Sequence, residues 1–181
     1  MKVLIDACVL FPTVLRELTL GAADMGAFQP LWSERILDEW HRAALRHSAQ
    51  DGEIAAAEIA MVKARFPEAM VQVSEATEAR LYLPDPGDIH VLAAAVDGGA
   101  GELLTLNIRD FPTNALSAEG ILRRHPDEFL LEIWHRDPPR MAALIGEVLD
   151  RAAGHGIDTS DPRKILKKAR LPRLGKAMAQ V

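Results

Sequence analysis

Four carboxylates, Asp6, Glu39, Asp88 and Asp110, stand where the pattern of apolar runs and chain breakers can draw them to one edge of a sheet. Unpaired, such a cluster repels itself, because like charges within a few ångströms raise one another's pKa. A hard divalent cation, Mg2+ or Mn2+, relieves that repulsion, and carboxylate oxygens are the donors it prefers. A cation held this way makes its water more acidic and a phosphoryl oxygen more electrophilic, which permits in-line attack on a phosphodiester without a Ser or Cys nucleophile. Taken singly, Asp88 reads as a helix cap and Asp110 as a turn residue. Their convergence is what points to a metal site.

The elements that must position these groups are densest in residues 83–112, LPDPGDIHVLAAAVDGGAGELLTLNIRDFP. Pro84, Pro86 and Gly87 break the chain, and Asp88 is placed to cap a helix over Ile89–Asp97. Ala93, Ala94 and Ala95 give that helix little bulk, so its backbone can approach a sheet closely, and Gly98 and Gly99 stop it. Leu103, Leu104 and Leu106 then form an apolar run too short for a helix, which reads as a strand buried on both faces. Thr105 and Asn107 fall at its carboxyl end. The run Lys2–Ile5 reads as the first, central strand and delivers Asp6 to the same edge, the side of a parallel sheet on which ligands bind.

Other polar residues in this stretch have plainer readings. Asp85 is an outer-sphere partner or, more plainly, the residue that starts the Pro86 turn; His90, two residues after Asp88, is placed to touch a phosphate but reads more plainly as a helix-surface or packing residue; and Thr105 reads as a satisfied strand-end hydroxyl. Cys8 is a small core residue, and Trp32, Trp40 and Trp134 are core or interface.

Elsewhere, Pro12 opens a helix bearing Val14, Leu15, Leu18 and Ala22, which ends at Gly26. Residues 28–32 form a second strand, and Ser33 caps a helix from Glu34 to about His47 with Ile36, Leu37, Trp40 and Leu45 toward the core. Glu39 lies six residues beyond that cap, about 9 Å along the axis, so its long side chain is needed to reach the site. Arg35, Arg42 and Arg46 can pair with Asp38 and Glu39 at helical spacings. A helix over 51–64 uses Ile54, Ile59, Ala60 and Val62 as its apolar positions, and Pro67 ends it. Residues 69–73 suggest a strand, and 74–81 an irregular or weakly helical approach. After Pro112 come a loop, an edge strand at Ile121 and Leu122, and an amphipathic helix over Pro126–Arg136. A helix over 141–153 follows Pro138 and Pro139, and residues 161–169 form a last helix before a frayed basic end. Alternation of this kind gives an α/β fold, a three-layer α/β/α sandwich with a mostly parallel central sheet. The domains expected are 1–136, carrying the site, and 137–181, a helical extension with a basic tail.

The length suits one domain with an appended tail, and 49% hydrophobic composition supports a sizeable core. With one cysteine there is no internal disulfide, and a reducing, cytoplasmic compartment is expected. No apolar run is long enough for a membrane span, and the N-terminus has no basic segment leading into a long apolar one. The charge is uneven. From Arg163 onward there are seven cations and no acid, and taking those seven from the net −5 leaves −12 for the first 162 residues. An acidic body suits a carboxylate site with a divalent cation better than broad nucleic-acid binding.

Four segments, MKVLIDACVL, ILDEWHR, DPGDIHVLAAAV and LLTLNIRDFP, resemble in order and spacing the signature segments of PIN-domain proteins, in the subgroup that includes bacterial VapC-type toxin nucleases. The likeness covers most of residues 2–131. It implies a Mg2+- or Mn2+-dependent ribonuclease, the toxin of a toxin-antitoxin pair, with Asp6, Glu39 and Asp88 at the acidic metal positions and Thr105 orienting the scissile phosphate or a metal-held water. Many members carry aspartate where this chain has Asn107, and Asp110 three residues later is the available substitute. The partners implied are an RNA substrate and a cognate antitoxin protein, with a homodimer as one form consistent with them. A module that keeps the fold but only binds RNA or protein is the alternative, and Asn107 favours it. An aspartyl-phosphate phosphatase would need a second aspartate where Cys8 stands. A nucleotide-binding fold is disfavoured, since no Gly-rich turn follows the first strand.

Overall fold

The computed structural model describes residues 1–179, so positions 180 and 181, at the end of the expected 137–181 extension, lie outside the described residues. The chain runs β1 (Lys2–Ile5), α1 (Ala7–Leu10), α2 (Thr13–Asp24), β2 (Gln29–Ser33), α3 (Glu34–His47), α4 (Ala49–Arg65), β3 (Met70–Val71) and α5 (Glu75–Arg80). A 3-10 turn, Pro86–Asp88, leads into α6 (Ile89–Asp97), followed by β4 (Glu102–Leu104), α7 (Thr113–Ala118), β5 (Leu122–Arg124), α8 (Pro126–Arg136), α9 (Pro138–Gly154), α10 (Pro162–Lys168) and α11 (Pro172–Met178). Residues 1–11 and 28–124 form one compact unit, and residues 12–27 with those from 125 onward form another.

The first unit holds an all-parallel five-stranded sheet in the order β3-β2-β1-β4-β5. This is the α/β/α fold expected from the alternation of strands and helices. β1 is central because Val3, Leu4 and Ile5 are all fully buried, which only a strand with neighbours on both sides and cover on both faces can satisfy. Leu4 pairs with Leu31 of β2 and with Leu103 of β4. Pro30 sits inside β2 without cost. The Gln29 N–H bonds the Met1 carbonyl on the β1 side at 2.9 Å, so the missing donor of Pro30 faces the other way, where pairing with β3 begins only at Trp32.

Helix α6 packs on β1, β2 and β4 through its fully buried alanines Ala93, Ala94 and Ala95. The approach is close at its end. A Cβ on Gly98 would lie 2.9 Å from the Ala94 carbonyl oxygen, from Leu31 and from Val71. Gly99 takes the left-handed conformation, φ +64°, that turns the chain into β4.

Several sequence expectations need correction. Leu45 does not face the core but is half exposed, its side chain lying over Gly52, where a Cβ would collide with it. In α4 the buried positions are Gly52, Ala55 and Val62, whereas Ile54 and Ala60 are exposed and Ile59 is partly so. Small residues let α4 sit tightly against α3, so bulk was the wrong guide to its inner face. The segment after Pro112 is not a loop but helix α7, whereas 74–81 takes the helical of its two readings as the short helix α5, which Ser74 caps by accepting the Thr77 N–H. Leu106 lies beyond β4, which stops at Leu104. The short helix α1 was not foreseen. Trp32, Trp40 and Trp134 are buried, as expected.

The second unit is helical. Gly21 of α2 lies beneath Leu144 of α9, and Glu17 pairs with Arg151 at 2.8 Å. Among the described residues the basic end is not frayed. Leu171 and Leu174 are fully buried, and the buried Asp127 carboxylate accepts the N–H groups of Arg173 (3.0 Å) and Leu174 (3.0 Å) at the start of α11. The seven cations from Arg163 to Lys176 are all exposed.

Candidate active site

The sheet order reverses between β1 and β4, since the chain builds outward through β2 and β3 on one side and through β5 on the other. The crevice at the carboxyl ends of those two strands is the topological switch point, where parallel sheets bind ligands. Asp6 and Thr105 are the residues that follow these strands. Their backbones are fixed there, the Asp6 N–H bonding the Leu104 carbonyl at 3.0 Å and the Thr105 N–H the Arg124 carbonyl at 3.1 Å.

Asp6 is 6% exposed. Its Oδ2 accepts two hydrogen bonds, from Thr105 Oγ1 at 2.7 Å and from the Cys8 thiol at 3.0 Å, which leaves Oδ1 for a ligand. Thr105 is fully buried and its hydroxyl in turn accepts the Asn107 N–H at 2.9 Å. Cys8 is more than a small core residue. Its sulfur receives the Leu106 N–H at 3.2 Å, and burial, with the Asp6 charge second, pushes its thiol up to about 12. The thiol therefore stays protonated at neutral pH, a donor to Asp6 rather than a nucleophile.

Asp88 does not cap α6 with its side chain. Its backbone is already helical (φ −94°, ψ −5°), and Asp85 supplies the turn instead by accepting the Gly87 N–H at 2.7 Å. That bears out the turn reading of Asp85. Freed from capping, the Asp88 carboxyl is raised from an ordinary 3.8 to about 6, by burial first and then by the charges of Asp6, Asp85 and Asp110. Negative charge thus gathers around Asp88 at the switch point, and His90, last and in the opposite direction, offsets only part of it.

Asp110 is half-buried on the segment after β4, and that segment is held firmly. Arg123 Nη1 donates to the carbonyls of Ile108 (2.7 Å) and Phe111 (2.8 Å), and Phe111 is fully buried. Asn107 is exposed, and the structure joins it to the group through its backbone. Glu39 reaches inward from α3, which Ser33 caps as expected by accepting the Ile36 N–H. Its carboxylate lies 2.8 Å from Nε2 of His90, with the exposed Arg35 at 3.9 Å. His90 is not on the helix surface but 2% exposed, and neither ring nitrogen makes an aligned hydrogen bond.

Cys8 and Arg123 are participants that sequence reasoning missed, and His90, weighed there as a phosphate contact or a packing residue, is buried against Glu39. Only the position of His90, two residues after Asp88, hinted at a role.

Among the described residues no three His, Cys, Asp or Glu side chains are close enough, as placed, to hold an ion together. The donor set nevertheless fits a hard cation. It is all oxygen, it carries excess negative charge, and Mg2+ keeps most of its waters and takes only one or two carboxylates directly.

A family model described as PIN domain matches residues 2–109, which span β1 through β4 and all the site residues except Asp110. A stretch of 45 residues is 49% identical to a Mycobacterium tuberculosis protein named "Putative ribonuclease VapC50", covering 25% of this chain and 27% of that protein. The chain thus matches about a quarter of that relative's length. No solved structure matches. With more than half the chain matched from the first strand to the fourth, and the sheet in place between them, the chain belongs to the PIN domain family.

Proposed function

We propose that this chain is a Mg2+- or Mn2+-dependent endoribonuclease and the toxin of a toxin-antitoxin pair, with a cognate antitoxin protein as its partner. The observation that carries the proposal is the placement of Asp6 at the switch point, 6% exposed and held by Thr105 and Cys8 through Oδ2 alone; burial, with the charges of Asp6, Asp85 and Asp110 after it, raises the carboxyl of Asp88 in the same group. Family membership and the name of the relative support the nuclease reading. In it Asp6 and Asp88 are the direct ligands, while Glu39 and Asp110 act directly or through water. Residues 1–136 carry the nuclease and 137–181 the helical extension.

A divalent cation bound there supplies a more acidic water and a polarised phosphoryl oxygen. The protein's own groups supply placement. Thr105 and Cys8 hold Oδ2 of Asp6, so that Oδ1 is presented in one orientation. The Arg123 clamp does the same for the backbone that carries Asp110. The exposed Asn107 lies on the substrate side in this reading, the fully buried Thr105 acts on substrate only through the Asp6 it holds, and the exposed cations from Arg163 to Lys176 offer phosphate contacts. Asn107 favours a second reading, a PIN module that binds RNA or protein without cutting. Incubating purified protein with mixed RNAs separates the two. Cleavage should appear with Mn2+ and stop with EDTA. Cleavage indifferent to chelator contradicts the metal reading, and no cleavage under any divalent ion favours the binding module.

A further inference from the structure

We infer that His90 is the positioning residue for Glu39, holding its carboxylate toward the acidic cluster from α6. The inference rests on the proposed metal site. It begins from an anomaly, since a side chain 2% exposed has two ring nitrogens and neither makes an aligned hydrogen bond. Leaving such atoms buried without partners is unfavourable, and native structures seldom tolerate it. An acceptor is within reach among the described residues, Oε1 of Glu39, at 2.8 Å from Nε2. That distance already suits a hydrogen bond and only its alignment is wanting; contacts of this kind tighten when a site is filled. Glu39 needs such a partner. It reaches from the middle of α3 on a flexible stem, it is about a third exposed, and its other cation, Arg35, is 3.9 Å away and half exposed. His90 stands two residues after Asp88 at the start of α6, so one short segment carries both a carboxylate of the cluster and the group that aims another carboxylate at it. Neutral imidazole donating Nε2–H is sufficient, and groups that orient a ligand in this way commonly change metal affinity 10- to 100-fold.

The test is Mn2+ binding by calorimetry on the full chain, for the parent, His90→Phe, His90→Gln, Glu39→Gln and the double variant His90→Phe/Glu39→Gln. His90→Phe should weaken Mn2+ binding about 10-fold or more, His90→Gln should recover most of the loss because it keeps an N–H donor, and His90→Phe should add nothing once Glu39 is Gln. Equal losses for Phe and Gln, or additive losses in the double variant, mean that His90 only packs, and they overturn the inference. A second readout needs no change at His90. In metal-free protein the imidazole 15N shifts should mark Nε2 as the protonated nitrogen, and Glu39→Gln should move that signal; an unmoved signal overturns the inference. A parent that binds no Mn2+ overturns the metal reading itself, and this inference with it, whereas a parent that binds while His90→Phe binds equally well overturns the inference alone.

Discussion

At the residue scale the account depends on how four aspartates share one edge of a sheet. Asp6 has two donors on a single oxygen, which fixes it, while burial and three further carboxylates raise Asp88, with His90 acting the other way. The consequence for pH can be worked out in sign. Between 3.8 and about 6 the unfolded Asp88 has lost its proton and the native one keeps it, so the native state binds more protons and stability falls as pH rises through that window. Above about 6 both states are ionised, and the penalty stays constant. Metal-free Asp88→Asn should therefore melt higher than the parent at pH 7 and no higher near pH 4, as followed by thermal unfolding in EDTA. A parent whose melting temperature does not fall between pH 4.5 and 6.5 relative to Asp88→Asn would contradict this. The same proton competes with a cation, so Mn2+ affinity should decline below pH 6. Asp6 and Thr105 were legible in the sequence because each follows a short apolar run that can only be a buried strand. Cys8, His90 and Arg123 were not, because a thiol two residues past an aspartate, a helix histidine and a strand arginine acquire their roles only from what the fold places beside them.

At the element scale the sheet was readable for the same reason and the helix faces were not. Val3, Leu4 and Ile5 carry their burial in their composition, and Pro126 at the first turn of α8 marks its start unambiguously. In α4 the inner face is made of Gly52 and Ala55, so apolar bulk at Ile54 pointed outward and misled the periodicity. Helix α7 was missed because TNALSA is too short and too polar to show a period. Small residues also set the seat of α6, and here the structure gives a firm expectation. The Cβ of Gly98→Ala would sit 2.9 Å from a backbone carbonyl oxygen as well as from Leu31 and Val71, and a carbonyl cannot move aside as a side-chain tip can. Since φ at Gly98 is −74°, the backbone itself would accept alanine, and the cost is steric alone. Denaturant unfolding should show Gly98→Ala destabilised by about 1–3 kcal/mol. A neutral outcome would mean that α6 lies less close to β2 and β3 than described.

For the whole molecule the charge is divided, −12 over the first 162 residues against seven cations thereafter. Those cations sit on α10, α11 and the turn between them, a folded surface whose buried Leu166, Leu171 and Leu174 rule out deletion as a clean test. Replacing the exposed Lys164, Lys167 and Lys168 with Gln leaves that packing intact. If these residues meet RNA phosphates, the slope of log affinity against log salt should flatten by about 0.7 for each contact removed from a single strand. An unchanged slope would assign the surface to some other partner. Whether cleavage depends on the carboxylates at the switch point is decided by assaying Asp6→Asn and Asp110→Asn beside the parent on the same RNA with Mn2+. Asp6 ends the strand fixed on both sides and is the more rigidly held, so Asp6→Asn should abolish cleavage while its circular dichroism stays that of the parent, and Asp110→Asn should show the mildest loss among the four acids. A folded Asp6→Asn protein that still cuts at the parent's rate, and still needs Mn2+ to do so, would contradict the account.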